Sequence, residues 1–236
     1  MLVSNSGSAQ YRRQRNTKEM LRLLVLALVC MVDAKVLKFE PDRNHENAVI
    51  KMEAPYKKPD FCNGLDCPSF KVIETTKDYE LREYAMSNWV TTQLSGIDYS
   101  QAQYTMFMRL FNYIQGNNVK KMKIAMTCPV IVRIIPGQGP ACEDNFTMSF
   151  FVPPSMANPP KPTDPTVELT SMRSMRVYVR GFGGFATLQK YQDEALALGK
   201  AINDQSKYVT DHWFTGGYDA PFKLFNRHNE IWFLAK

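Results

Sequence analysis

The stretch FKVIETTKDYELREYAMSNWVTTQLSG, Phe70 to Gly96, decides how the chain is read. Apolar and polar residues alternate along it, broken at Lys77-Asp78, and alternation is the signature of half-buried strands. The pattern predicts a hairpin, with one strand around Phe70–Thr75 and the next over Tyr79–Thr92. The period then changes. From Ser100 to Gly116 the spacing is helical, opened by a serine that can cap and closed by a glycine.

Working outward, the same grammar recurs. KIAMTCPVIVRIIP reads as a strand with Pro129 at an edge or bulge, GQGPACED as a turn, and NFTMSFFVP as the returning strand. NPPKPTDP is a proline-rich loop. VELTSMRSMRVYVRGFGGFAT reads as strand, short turn, strand. LQKYQDEALALGKAINDQ is a second helix, with Leu188, Tyr191, Ala195, Leu198 and Ile202 at helical spacing. YVTDHWFTGGY and FKLFNRHNEIWFLAK supply two last strands. YELREYAMSNW is similar to MRVYVRGFGGF, and MTCPV and YDAPF stand in matching places. The chain therefore reads as two copies of a strand-strand-helix-strand-strand unit, about 70–153 and 166–236. The expected class is α+β: a distorted antiparallel β-barrel from two pseudo-repeated halves, each with a flanking helix.

The N-terminus reads as targeting. Arg22 precedes the uncharged run LLVLALVCMV, and Val32-Asp33-Ala34 has the form of a signal-peptidase site, so residues 1–34 are expected to be a secretory signal. A start at Met20 gives a more usual length, and a signal anchor is the competing reading. The run is short for a membrane span, so no span is expected after signal removal. Residues 35–61, with Pro41, Pro55 and Pro59, read as an extended or disordered leader ahead of one domain over 62–236. The formal charge of +6 owes part of its excess to Arg12, Arg13, Arg15, Lys18 and Arg22, so it is no nucleic-acid footprint.

Secretion changes the reading of the cysteines. Cys62 and Cys67 flank the tight CNGLDC loop and are expected to pair. Cys128 with Cys142 follows by elimination; the alternative is a buried free thiol at Cys128. Asn145-Phe146-Thr147 is a glycosylation sequon, used only if Asn145 points outward.

Chemistry-bearing motifs are few. There is no Gly-x-Ser-x-Gly elbow, phosphate loop, Cys-x-x-Cys or zinc spacing, which argues against an enzyme and against a dedicated metal-ion site. The polar run Asn226-Arg227-His228-Asn229-Glu230 could chelate only with a third ligand from elsewhere. It reads better as the turn of a closing hairpin, with Arg227 paired to Glu230. The first helix says more. At about 100° per residue, Tyr104, Phe107, Met108, Phe111 and Ile114 share one side, and Met106, Leu110 and Tyr113 lie nearly opposite. If the first stripe faces the sheet, the second is left for an overlying loop, a partner or an apolar ligand.

YELREY followed by Trp89, YIQGNN, KIAMTCPV, SFFVP, NPPKPTD, VYVRGFGGF and GYDAPFKLFNRHNEIWF together resemble the SOUL/heme-binding protein family over about Phe70–Lys236. The CNGLDCP leader is similar to its secreted branch. The resemblance implies a barrel of two pseudo-repeated halves and a heme or other porphyrin ligand held partly by the first helix. It makes Tyr104, Met106, Phe107, Met108, Arg109, Leu110 and Tyr113 the candidate tetrapyrrole site, with Lys120, Lys121 and Lys123 as further rim cations for the propionates. Glu83 stands where one branch carries a proposed histidine ligand; His212, Tyr104 and Met108 are the other donors considered. The expected function is a secreted, non-enzymatic tetrapyrrole carrier. The alternatives are an extracellular interaction module that binds porphyrin incidentally and, last, an enzyme acting on an apolar small molecule.

Overall fold

The hairpin at Phe70 forms, but its second arm divides. In the computed structural model, which describes residues 57–96, 98–137 and 144–236, β1 (Phe70–Thr75) pairs with β2 (Glu80–Tyr84). Thr76 builds the turn, its hydroxyl oxygen accepting the backbone N–H of Asp78 and Tyr79 at 3.1 and 2.9 Å. Beyond Tyr84 the chain leaves the ladder. β3 (Ser87–Gly96) pairs instead with β5 (Asp144–Val152) and β6 (Val167–Met172). The single predicted strand Tyr79–Thr92 is thus two strands with different neighbours, separated at Ala85-Met86.

The remaining elements are α1 (Tyr99–Ile114), β4 (Val130–Ile135), β7 (Met175–Phe182), α2 (Leu188–Ile202), β8 (Trp213–Gly217) and β9 (Asn229–Leu234). One antiparallel sheet holds all nine strands in the order β1-β2-β7-β9-β8-β4-β5-β3-β6. Apart from β1, the order reads the same from either end when β2 to β5 are exchanged for β6 to β9. Each half lends a strand to the other: β2 pairs with β7, and β6 with β3. β6 and β7 are therefore consecutive in sequence but not partners, as β2 and β3 are not. The expected distorted barrel is realised as a curled half-barrel whose order starts at β1 and ends at β6.

Strand alternation divides the core between two faces. Val90, Val132 and Phe150 point outward under α1, with Met106, Leu110 and Tyr113 of that helix. Tyr178, Ile231 and Phe233 lie under Tyr191, Leu198 and Ile202 of α2. The neighbouring residues Trp89, Ile131, Phe151, Val179 and Trp232 fill the concave side between the strands. Both helices therefore sit outside the curl.

The expected signal segment and most of the expected leader, 1–56, lie outside the described residues, as does Cys142. No helix among the described residues is long and apolar enough to cross a membrane. Asn145 is exposed, as use of the sequon requires; its side-chain oxygen accepts from the Ser95 hydroxyl at 2.6 Å.

Candidate functional site

α1 starts at an aspartate, not at Ser100. The Asp98 carboxylate accepts the N–H groups of Ser100 and Gln101 at 2.8 and 3.2 Å, and Ser100 lies inside the helix. The helix ends before Gly116, whose φ of 113° reverses the chain at little cost.

Which stripe faces the sheet is the reverse of the expectation. Met106 and Leu110 are 0% exposed and Tyr113 is 2%; they are core, and no ligand can lie against them. Tyr104, at 69% exposed, and half-buried Met108 turn outward, whereas half-buried Phe111 packs on the edge of the core and Ile114 of the same stripe is buried within it. Phe107 lies between, stacked on Phe111 at 5.7 Å and tilted against Phe150 at 5.4 Å. The physical reason is shape. The buried face, Tyr99, Ala102, Met106, Leu110, Tyr113 and Ile114, mixes large and small side chains that interdigitate with Val90, Val132, Phe146 and Phe150 of the sheet. Tyr113 is further fixed by donating its hydroxyl to the Pro160 carbonyl at 2.8 Å, which ties the proline-rich loop to the helix.

The void between Tyr113, Ile114, Ile124 and Phe150 has about 10 Å³, room for a water and no more. That void is too small for a large flat ligand; a roomier open hollow of about 210 Å³ lies beside Asn88, Trp89, Pro159 and Leu169 and contains no residue of α1. From Tyr104 to Phe111 the outer side of α1 runs ~10 Å at ~1.5 Å rise per residue. Beyond its C-terminal end Asn118, fully buried, folds the next loop: its amide donates to the carbonyls of Tyr113 and Met122 at 3.1 and 2.7 Å, and its oxygen accepts from Lys120 and Met122. That loop leaves Lys120, Lys121 and Lys123 exposed. Arg109 is partly committed, donating to the Gln93 carbonyl at 3.1 Å and the Thr92 hydroxyl at 3.4 Å, which clamps α1 to β3.

The remaining candidates scatter. Glu83 is on β2 and pairs with Arg176 at 2.8 Å, whereas α1 packs on β3, β5 and β6. His212 sits just ahead of β8, beside Asp211 and edge-on to Phe214; burial and the Arg133 charge hold its pKa below the usual value. Of the considered iron donors, only Tyr104 and Met108, one turn apart, share the outer face.

The polar run near the C-terminus is a second centre, and its partners were mispredicted. Arg227 does not pair with Glu230. It donates to the carbonyls of Ala220, Lys223 and Asp219 and braces the loop from Tyr218 to His228. Glu230, 0% exposed, instead accepts from four donors: Arg82 and His228 on one oxygen at 2.9 and 2.8 Å, Tyr218 and Trp232 on the other at 2.7 Å each. Burial alone would raise its pKa, but the Arg82 charge and the His228 and Tyr218 hydrogen bonds hold it down to about 2. Phe61 stacks on the His228 ring at 4.1 Å. Gly181 lies beneath that ring, where a side chain would meet it at 3.2 Å. The arrangement is a fully satisfied buried charge joining β2, β9 and the loop between β8 and β9. Phe222, Leu224 and Phe225 on that loop are exposed, as is Phe185, over whose ring the Arg227 guanidinium lies at 4.5 Å.

A third centre has no motif in the sequence. Cys62 and Cys67 are bonded as expected, but Cys128 is a buried free thiol, the alternative to pairing with Cys142. The three sulfurs lie within 4.8 Å of one another, so the described residues do contain a metal-ligand type of cluster.

Comparison with known proteins gives a consistent picture. The family model described as SOUL heme-binding protein matches residues 65–234. Human heme-binding protein 2 is 39% identical over 179 residues, covering 73% of this chain and 87% of the relative. Heme-binding protein 1 of Xenopus tropicalis is 33% identical over 157 residues, 66% of this chain and 83% of the relative. Among solved structures, the EcmrR C-terminal domain superposes with a TM-score of 0.53 at 10% identity, covering 67% of this chain and 98% of that domain, a likeness of fold alone.

Proposed function

The chain belongs to the SOUL heme-binding protein family, and from that premise we propose that it binds heme and related tetrapyrroles on the outer face of α1, without catalysing a reaction. The observation that carries the reading is the pairing of outward Tyr104 and Met108, flanked by half-buried Phe107 and Phe111 at the edge of the core, with the exposed Lys120, Lys121 and Lys123 beyond the helix end. A flat apolar ring stacks on such side chains, and its propionates reach the cations. Bound heme brings an iron, for which Tyr104 and Met108 are the donors at hand. Neither is held by a second partner that would orient it, so the apolar contact carries most of the affinity. The reading extends to a secreted carrier or buffer, supported by the signal-like run before Ala34, the Cys62–Cys67 disulfide and the outward Asn145.

The test is a titration of the chain with hemin and with metal-free protoporphyrin in parallel, followed at the Soret band. Saturable one-to-one binding of both with similar affinity is expected. A sharp Soret shift with heme binding alone means that an iron bond dominates; no saturable binding of either sinks the proposal. A partner-binding role is the second reading. Met106, Leu110 and Tyr113 are buried and cannot carry it; what supports it is the exposure of Phe222, Leu224 and Phe225 on one loop. The same titration on Phe222→Ser/Phe225→Ser separates the two: unchanged affinity leaves that loop free for a partner.

A further inference from the structure

The three sulfurs meet where the chain enters the fold. Cys62 ends a short 3-10 turn (Asp60–Cys62), Cys67 follows five residues on, and Cys128 lies just ahead of β4. The Cys128 sulfur is 3.4 Å from the Cys67 sulfur and 3.4 Å from the Cys62 carbonyl oxygen. Backbone contacts hold this register: Asp66 bridges to Thr127, and the Cys128 N–H donates to the Asp66 carbonyl at 3.0 Å. Cys62 and Cys128 are buried, and Cys67 is half-exposed. A free thiol in near contact with a disulfide sulfur can exchange with it once the three sulfurs swing into line, a small movement at the half-exposed Cys67.

We propose that Cys62, Cys67 and Cys128 form an internal thiol–disulfide exchange site, with Cys67 as the shared sulfur and Cys62 and Cys128 as its alternative partners. The Cys128 thiolate attacks the Cys67 sulfur, and a Cys67–Cys128 bond forms. The Cys62–Cys67 bond breaks, its electron pair leaves on Cys62, and Cys62 takes up the proton that Cys128 gave away. One disulfide and one thiol stand on each side, so no oxidant or reductant is consumed.

The two pairings do different things to the chain. Cys62–Cys67 closes a loop of sequence separation 5; Cys67–Cys128 spans 61 positions and constrains the unfolded chain more. The first pairing pins the turn that places Phe61 on the His228 ring. The second releases that turn from its covalent tie and anchors the entry loop to β4 instead. Exchange is slow at neutral pH, because burial pushes the Cys128 thiol up to about 12 and little thiolate is present.

The experiment maps disulfides in the full chain, incubated at pH 7 and pH 9 without added oxidant or reductant, then acid-quenched, alkylated with N-ethylmaleimide and digested for mass spectrometry. A Cys67–Cys128 peptide with alkylated Cys62 should accumulate about tenfold faster per pH unit. Persistence of Cys62–Cys67 as the only pairing at both pH values, or pairing of Cys128 with Cys142, overturns the proposal. Cys62→Ser gives an independent arm: after reduction, oxidised glutathione should yield a Cys67–Cys128 bond, with native near-ultraviolet dichroism retained. Accumulation of a stable Cys67–glutathione mixed disulfide in the folded variant would count against it.

Discussion

The two helices hold matching places in the strand order and bury matching faces, yet their outer sides differ. Leu110 and Leu198, both 0% exposed, set a register in which Ile114 answers Ile202 and Met106 answers Glu194. In that register Tyr104, Met108 and Phe111 of α1 answer Gln192, Leu196 and Gly199 of α2. The outer side of α2 is more polar: Gln189, Lys190, Gln192, Asp193 and Lys200 are exposed and Gln189 bonds Asp193, with Leu196 the large apolar residue among them. α1 keeps aromatics and methionine where solvent would favour charge. A fold needs one apolar face per helix. The second apolar face on α1 is surplus to folding, and that surplus is what points to a ligand.

The comparison breaks most severely at the buried carboxylate of the second half. Glu230→Gln leaves the Arg82 cation, 6% exposed, with only the more exposed Glu80 as an ionic partner and should cost about 3 kcal/mol in urea unfolding, with the α1 surface unaltered. The wild-type dependence on acid follows from the same group. Its pKa falls from 4.5 to about 2 on folding, so its stabilisation is fully present above 4.5 and is lost as pH drops toward 2. An acid-unfolding curve of Glu230→Gln should be flatter over that window; parallel curves would mean that another carboxylate governs it.

Equivalence of the inner faces is tested next. Leu110→Ala and Leu198→Ala should each lower stability by about 2–5 kcal/mol, with values close to one another. A markedly smaller loss at either site would show that one helix is loosely packed and that the symmetry is topological only. The outer faces should separate with the smallest stability change. Tyr104→Ser/Met108→Ser should weaken porphyrin binding about tenfold while altering stability by about 0.5 kcal/mol or less, whereas Leu196→Ser should change neither. Equal weakening by Leu196→Ser would remove the reason to place the ligand on α1.

Period and turn residues made most elements legible: β1, both helices and the closing strands fall close to where alternation and helical spacing put them. Pairing was less visible, because the breaks at Ala85-Met86 and Arg173-Ser174 contain no glycine or proline, and nothing local says that the strands on either side take different neighbours. α1 displayed two apolar stripes, but a helical wheel cannot say which one approaches a sheet. Arg227 lies near Glu230 in sequence, but Arg82, 148 positions away, is the partner that the fold supplies. The sulfur cluster was hidden for the same reason, since Cys128 reaches Cys67 only through the folded chain.

The exchange of β2 and β6 between halves also sets the order of assembly. Neither half owns a complete sheet: the early strand β2 waits for β7, and the Arg82 beside Tyr84 waits for Glu230 near the chain's end. Until β7 and β9 are made, β2 has only β1 beside it and Arg82 has only Glu80 as an ionic partner. Long-range closure of this kind slows folding and lengthens exposure of sticky edges. The chain therefore commits to its native state late and as a whole, and a nascent or truncated product is the form most in need of a chaperone.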